Sequence, residues 1–578
     1  MEKIKSDFLN RDRIRKIFKI GGPVFIGMMV QNLINITDNL MVGQMGAVRG
    51  DDYPHLIAEA SNGLAALGPS LMFIWMVAGF FACINVGTQA LVSRREGEER
   101  FNVAGSVLAN SASLGFIIGI FVAILGSIYL VPEVFPVFHN NREVQRLGID
   151  YCVVRFYSIP AWIAMFTLKA FWDGIAKTHV HMTAAVIMTV TNLFFNYILI
   201  YGVDFLGIKP MGTVGAAWGS TICTYIGLLV VLIWTFKKKY YNKYKYFNNF
   251  KWKWVIIKEV YRLSLPSGIA NIVIMTGFLF FVKVAGYLDD RQMILEIEKE
   301  VHYLVPIIND SVVNKIDHKA YSKLSKGEKK ELPNQIKVVS NALNDFKVKL
   351  PELLNKSKFN AGKLFNEERD KISENLKDII QLKTPSILKS FLRPINFNKN
   401  GAATTIVISI AMVSFIGLLG FGQATATLVG QSLGQQKPFI AQKYGFEAVT
   451  ILTLLYSIMA LGVFTFPEFL SSLFTSDPLV IETATAPVKL WGVILLFVPA
   501  FMIFPQALFA AGKAVYVMVI EIILHFSCLI PISYAFAVSL DWGIFGLWLA
   551  AGLYVVLLVF FMTIKFSGHS WMSSKLNG

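Results

Sequence analysis

The feature that most constrains this chain is a succession of twelve apolar runs, each long enough to cross a lipid bilayer as a helix. A helix rises about 1.5 Å per residue, so about 20 apolar residues span the hydrocarbon core. The runs fall at 17–44, 63–93, 103–131, 147–174, 181–203 and 211–236, then at 259–287, 401–434, 441–465, 484–510, 514–539 and 542–567. They are continuous rather than alternating, which excludes a membrane β-barrel. Charge is concentrated elsewhere: 37 of the chain's 92 charged residues lie in 289–400. The sequence therefore reads as an all-α polytopic membrane protein, with one small soluble helical insert between spans 7 and 8. A soluble enzyme and a disordered chain are excluded, as is a nucleic-acid binder despite the net charge of +16.

The expected parts are a cytoplasmic N-terminal segment (1–16), an N-lobe of spans 1–6 (17–236) and a basic cytoplasmic linker (237–258). Span 7 (259–289) and spans 8–12 (398–567) form a C-lobe, separated by an extracytoplasmic helical insert (290–397); a cytoplasmic tail (568–578) ends the chain. Lys and Arg set the orientation, since positive charge beside a span marks the cytoplasmic side. The termini side carries 24 of them and the opposite side five, leaving out the insert. Both termini are thus expected in the cytoplasm of a plasma membrane, the bacterial inner membrane, with the insert outside. The first run is too long for a cleavable signal. Cys83, Cys152, Cys223 and Cys528 lie in apolar runs without metal-ligand spacing and read as small buried hydrophobes.

The chain repeats itself. Gln89–Gly97 at the end of span 2 matches Ala426–Gly434 at the end of span 8, at an offset of 337. Lys177 and Lys513 precede spans 5 and 11 at an offset of 336, and Gly212 and Gly215 pair with Gly543 and Gly546 at 331. Spans 1 and 7 share Pro23/Pro266 and Gly43/Gly286 at an offset of 243, with the two prolines marking expected helix bends. Six spans per repeat return the chain to its starting side. The lobes are then parallel repeats about an axis along the membrane normal, one known plan for transporters.

Ionisable groups within spans are costly and mark candidate sites. Span 1 holds Gln31-Asn-Leu-Ile-Asn-Ile-Thr-Asp-Asn39, in which Gln31, Asn35 and Asp38 share a helix face. Desolvation penalises the charged form of a lone carboxylate such as Asp38. It can exchange a proton, or bind a small cation when amides complete the shell. An interfacial acid held by water is the alternative. Asn192 and Asn196 on span 5, and Ser220 and Thr221 on span 6, are either further ligands or interhelical hydrogen-bonding groups. Glu521 and His525 form an i, i+4 pair on span 11, a secondary coupling candidate. Asp173 reads as a turn residue before Gly174. Trp75, Trp162, Phe166 and Phe171 are candidates to line a substrate cavity, where π faces attract cations, or to contact lipid.

Pro23 followed by Thr37-Asp-Asn-Leu-Met-Val-Gly-Gln-Met-Gly46 resembles the first span of MATE (multidrug and toxic compound extrusion) transporters. Leu64–Gly68, Gly422–Gly434, Asn192–Gly202 and Gly215–Ser220 are similar to that family's patterns in spans 2, 8, 5 and 6. The resemblance implies two six-helix lobes and antiport of organic cations or drugs against entering H⁺ or Na⁺, with no resident cofactor. It places the coupling ion at Asp38, with Asn192, Asn196 and Ser220 beside it, and a Na⁺ site would comprise Asp38, Asn192 and Asn196. Many members carry an acid where this chain has Asn196. Some also use acids in spans 7 and 10, where Pro266–Phe278 and Val498–Gln506 have none.

The insert shows apolar periodicity at 334–350 and 366–382, which predicts short amphipathic helices forming either a cap for an extracytoplasmic partner or a lineage-specific addition. Two rival functions remain. One is a lipid or lipid-linked glycan flippase, which would want a basic cavity; Arg155 and Lys169 on span 4 are the nearest such residues. The other is a receptor or assembly protein on an inactive transporter scaffold. No nucleophile–base constellation suggests an enzyme.

Overall fold

The structure is a computed structural model that describes residues 9–138, 142–247, 251–314, 399–475 and 477–572. Ten helices within these residues are long and apolar enough to cross a membrane, and two bent helix pairs bring the count to twelve. Span 1 is Arg11–Arg49, span 2 Asn62–Gly97 and span 3 Phe101–Val134; span 5 is His179–Tyr201 and span 6 Gly212–Thr235. Span 4 is the pair Arg142–Phe156 and Ile159–Gly174, bent by 50°. In the second lobe span 7 is Trp254–Asp289, span 8 Lys399–Gly434 and span 9 Pro438–Thr465. Span 10 is the pair Pro478–Ile494 and Val498–Ala510, bent by 51°, and spans 11 and 12 are Ala514–Ser539 and Gly543–Ser567.

Several boundaries differ from the sequence reading. Span 1 begins at Arg11, because the Asn10 side chain accepts from the backbone N–H groups of Asp12 and Arg13 and caps the helix there. The helix of span 7 runs on to Asn314, into the region read as insert. The periodic segments 334–350 and 366–382 lie outside the described residues. The linker contains a short helix, Lys238–Tyr244. The bends expected at Pro23 and Pro266 are not breaks: both prolines sit inside unbroken helices. The sharp bends occur instead in spans 4 and 10, where Pro160 and Pro499 stand in the first turn of the second half-helix. A proline there starts a new helix at little cost, since it removes an N–H that would be unpaired anyway.

The insert interrupts the C-lobe without separating its parts. Asp289 at the end of span 7 accepts from the backbone N–H of Asn400 and of Gly401, both at 2.8 Å. That carboxylate caps span 8, so the chain leaves and re-enters the lobe at one point.

The repeat explains how the lobes meet. A side chain on Gly97 would strike the Gln431 backbone, and one on Gly434 would strike the Arg94 backbone. These are equivalent pairs at the offset of 337, so the contact is self-complementary about a pseudo-two-fold axis. The same symmetry recurs further in: Phe25 packs on Gly417 and Gly420, and its counterpart Gly268 receives Phe80 and Cys83. Small residues at such crossings let helix backbones approach closely. Polar bonds tie the same contact. The Gln89 amide donates to the Gln423 carbonyl (2.8 Å) and the Thr427 hydroxyl (2.9 Å), and Thr427 donates to the Asp173 carbonyl (2.9 Å). Nearer the termini, Arg13 pairs with the fully buried Glu447 at 2.7 Å. These bonds all lie in the half of the bundle nearest the chain termini, so the lobes are joined at that end.

Candidate functional site

Span 5 is fastened along span 1 by hydrogen bonds at successive levels. Thr178 donates to the Ile20 carbonyl (2.9 Å), Thr189 to Val30 (3.0 Å) and Tyr201 to Met41 (3.1 Å). This register holds Asn192 and Asn196 opposite Asp38. Span 6 supplies Ser220, and its Gly219 leaves room for the Asn196 amide, which any side chain there would strike.

Asp38 is 1% exposed and fully hydrogen-bonded. Its Oδ1 accepts from Asn196 Nδ2 at 2.6 Å and from Asn192 Nδ2 at 3.2 Å, and its Oδ2 accepts from Ser220 Oγ at 2.6 Å. Thr37 donates to Asn192 Oδ1 at 3.1 Å and so orients that amide. A buried carboxylate tolerates its charge only when donors surround it, and here all the donors are neutral. Turning either amide over presents its oxygen to the same point. Two carboxylate oxygens, two amide oxygens and a hydroxyl are hard ligands of the kind a small cation takes, and the same carboxylate can instead hold a proton. Among the described residues no cluster of three or more His, Cys, Asp or Glu is placed to hold a metal ion.

Ser220 also lines a cavity of about 230 Å³ between spans 1, 2, 4, 5 and 6 and span 8. Gln31 and Asn35 face that cavity, while Asp38, farther along the same helix, turns to spans 5 and 6. Trp75, Trp162 and Phe166 form one wall in edge-to-face contacts, with centroids 5.1 and 5.0 Å apart. Phe171 is elsewhere, buried against Trp172, Tyr244 and Tyr246.

Other residues are not brought to Asp38. Glu521 and His525 lie in the C-lobe, both buried, with no bond between their side chains. The backbone between them keeps its α-helical register, with the His525 N–H on the Glu521 carbonyl, and widens into a π-turn only from His525 to Leu529. Thr221 bonds the Val154 carbonyl within the N-lobe. Two features escaped the sequence reading. Asp173, read as a turn residue, is instead in the last turn of a helix that ends at Gly174, and its side chain is buried and paired with Lys169 at 2.7 Å. Lys169 Nζ also donates to Gln423 Oε1 of the other lobe. The i, i+4 spacing of Lys169 and Asp173 within an apolar run was the available signal.

A polytopic helical bundle with two repeat-related lobes and a cavity between them has the architecture of a two-lobed membrane transporter. The MatE family profile matches residues 54–198 and 399–535, one match in each lobe, and the chain belongs to that family. A relative named probable multidrug resistance protein NorM, from Thermotoga maritima, is 20% identical over 93% of this chain and 88% of its own length. Relatives of the same name from Idiomarina loihiensis (20% identical) and Halalkalibacterium halodurans (26%) match 52% and 43% of this chain. In those two the chain covers 62% and 50% of the relative's length. Among solved structures, an outward-facing multidrug resistance MATE family transporter of the MOP superfamily superposes with a TM-score of 0.70, at 17% identity and 97% coverage of both chains. A MOP superfamily transporter from Pyrococcus furiosus, described as having a binding pocket of reverse polarity that suggests a different function, gives 0.68 at 16% identity and the same coverage.

Proposed function

We propose that the protein is an ion-coupled antiporter that exports organic cations and drugs by alternating access, with Asp38 as the coupling group. The observation that carries this reading is the position of Asp38: a buried acid ringed by neutral donors, one of which, Ser220, also faces the cavity. Entry of H⁺ or Na⁺ at Asp38 neutralises its charge and withdraws it from the field that a cationic cargo feels. Ion and cargo then favour different states, and each shifts the equilibrium of the lobes by its differential affinity. Lobes joined at the termini end suit the stage at which cargo leaves on the far side. On this reading the protein sits in a bacterial inner membrane, with the termini cytoplasmic and the insert extracytoplasmic. Glu521 and His525 are not required for coupling.

The flippase alternative draws less support. Of the two basic residues on the cavity wall, Lys169 has its charge offset by Asp173, so the wall is not the strongly basic one that phosphate head groups would want. Proteoliposomes under separately imposed pH and Na⁺ gradients test the antiport and identify the ion. Asp38→Asn is expected to remove gradient-driven export while the protein still folds and inserts. Undiminished uphill export by that variant rejects the coupling role.

A further inference from the structure

The cavity wall carries a charge that the exchange of a cation for a proton does not use. Arg155 stands in the last turn of the first half of span 4, immediately before the bend, and lines the cavity. Its Nε and Nη1 are buried and have no hydrogen-bond partner among the described residues. A guanidinium cannot shed its proton to escape burial, so desolvated N–H groups of this kind are costly unless something accepts from them. The nearby charges leave that need unmet. Lys169, the other cation on the wall, is paired with Asp173. Asp38 is close enough to interact electrostatically with Arg155, but its oxygens are taken by Asn192, Asn196 and Ser220.

The break in span 4 adds to this. The second half-helix begins at Ile159, with Ser158, Ile159 and Trp162 on the cavity wall, so its positive end faces the same space. Broken membrane helices present their half-helix N-termini to anionic groups of cargo in this way. Beside it stand the Trp75, Trp162 and Phe166 rings, suited to a flat aromatic body.

We propose that Arg155 is an anion subsite of the transport cavity, taking the carboxylate of an aromatic cargo molecule that also bears a cationic group. The guanidinium fork can donate two parallel hydrogen bonds to a carboxylate. The cationic part lies within the field of Asp38 and against the aromatic faces. Charge is then complementary at both ends, and protonation of Asp38 weakens the hold on the cation. This second half rests on the coupling role proposed for Asp38; the anion subsite does not.

The test is binding to the purified full chain in nanodiscs, followed by fluorescence polarisation. The probes are tetramethylrhodamine, which carries a free carboxylate beside its cationic ring system, and its methyl ester, which differs only at that group. The wild-type protein is expected to bind the acid dye about tenfold more tightly than the ester, the size of one charge-assisted interaction. Arg155→Gln should erase that preference, and Arg155→Lys should keep part of it, since the charge remains but the fork is lost. Equal or tighter binding of the ester, no binding of the acid dye, or a preference that survives Arg155→Gln overturns the proposal. Asp38→Asn separates the two ideas: it should abolish gradient-driven export and leave the acid-over-ester preference in place.

Discussion

The two lobes share one helical scaffold and differ in what they bury at equivalent places. At the offset of 243 that relates span 1 to span 7, the counterpart of Asp38 is Phe281. It is 5% exposed and packs edge-on against Trp548, with ring centroids 5.6 Å apart. The counterpart of Ser220 at the offset of 331 is Ala551, packed against the same apolar core. The fold therefore needs no polar cluster at this level, because the C-lobe fills it with hydrocarbon. The C-lobe has buried polar groups of its own, but they are arranged differently. Glu521 Oε2, both ring nitrogens of His525 and the Tyr554 hydroxyl lack hydrogen-bond partners among the described residues, whereas Asp38 has three donors. A complete shell around one acid, set beside a cavity, is what separates a site from a scaffold.

If that asymmetry is functional, changes in the N-lobe should outweigh changes in the C-lobe. The largest effect is expected from Asp38→Asn, with gradient-driven export in proteoliposomes reduced to the level of empty liposomes. Next comes Gln89→Ala, which removes two bonds across the joined end of the lobes. Losing about 2 kcal/mol there should move the lobe equilibrium about thirtyfold toward the state open at the termini end. Spin-label distances across that end would report it, and unchanged distances would show that these bonds do not hold the lobes. Ser220→Ala removes one donor to a carboxylate and should lower ion affinity about tenfold, read from the ion dependence of export. The smallest effect is expected from Glu521→Gln, with coupled export close to wild type. A loss of coupling there as deep as that of Asp38→Asn would break the comparison and make the C-lobe a second ion site.

Much of this was legible without coordinates. Run length fixed the spans, and the ordered matches between Gln89–Gly97 and Ala426–Gly434 showed the repeat. Asp38 stood out as an acid in an apolar run. The site itself was less legible: Asn192, Asn196 and Ser220 read equally well as helix–helix contacts, because sequence gives the face of a helix but not its neighbour. The two broken spans were not foreseen: they turn at Pro160 and Pro499, where a proline at the start of a half-helix is favoured. Asp173 was read as a turn residue, whereas its backbone is still helical, the turn comes at Ile175 and Ala176, and its side chain pairs with Lys169.

What the amino-acid order determined alone was everything set by local chemistry: which segments enter lipid, how many there are, and where an acid sits within one. What only the tertiary structure decided was which polar groups share a space. Asn196 meets Asp38 across 158 positions of sequence, and Ser220 meets it across 182. Such meetings depend on the close crossing that Gly219 permits and on the register that Thr178, Thr189 and Tyr201 impose. Each is a sum of contacts between helices, and no one helix contains it.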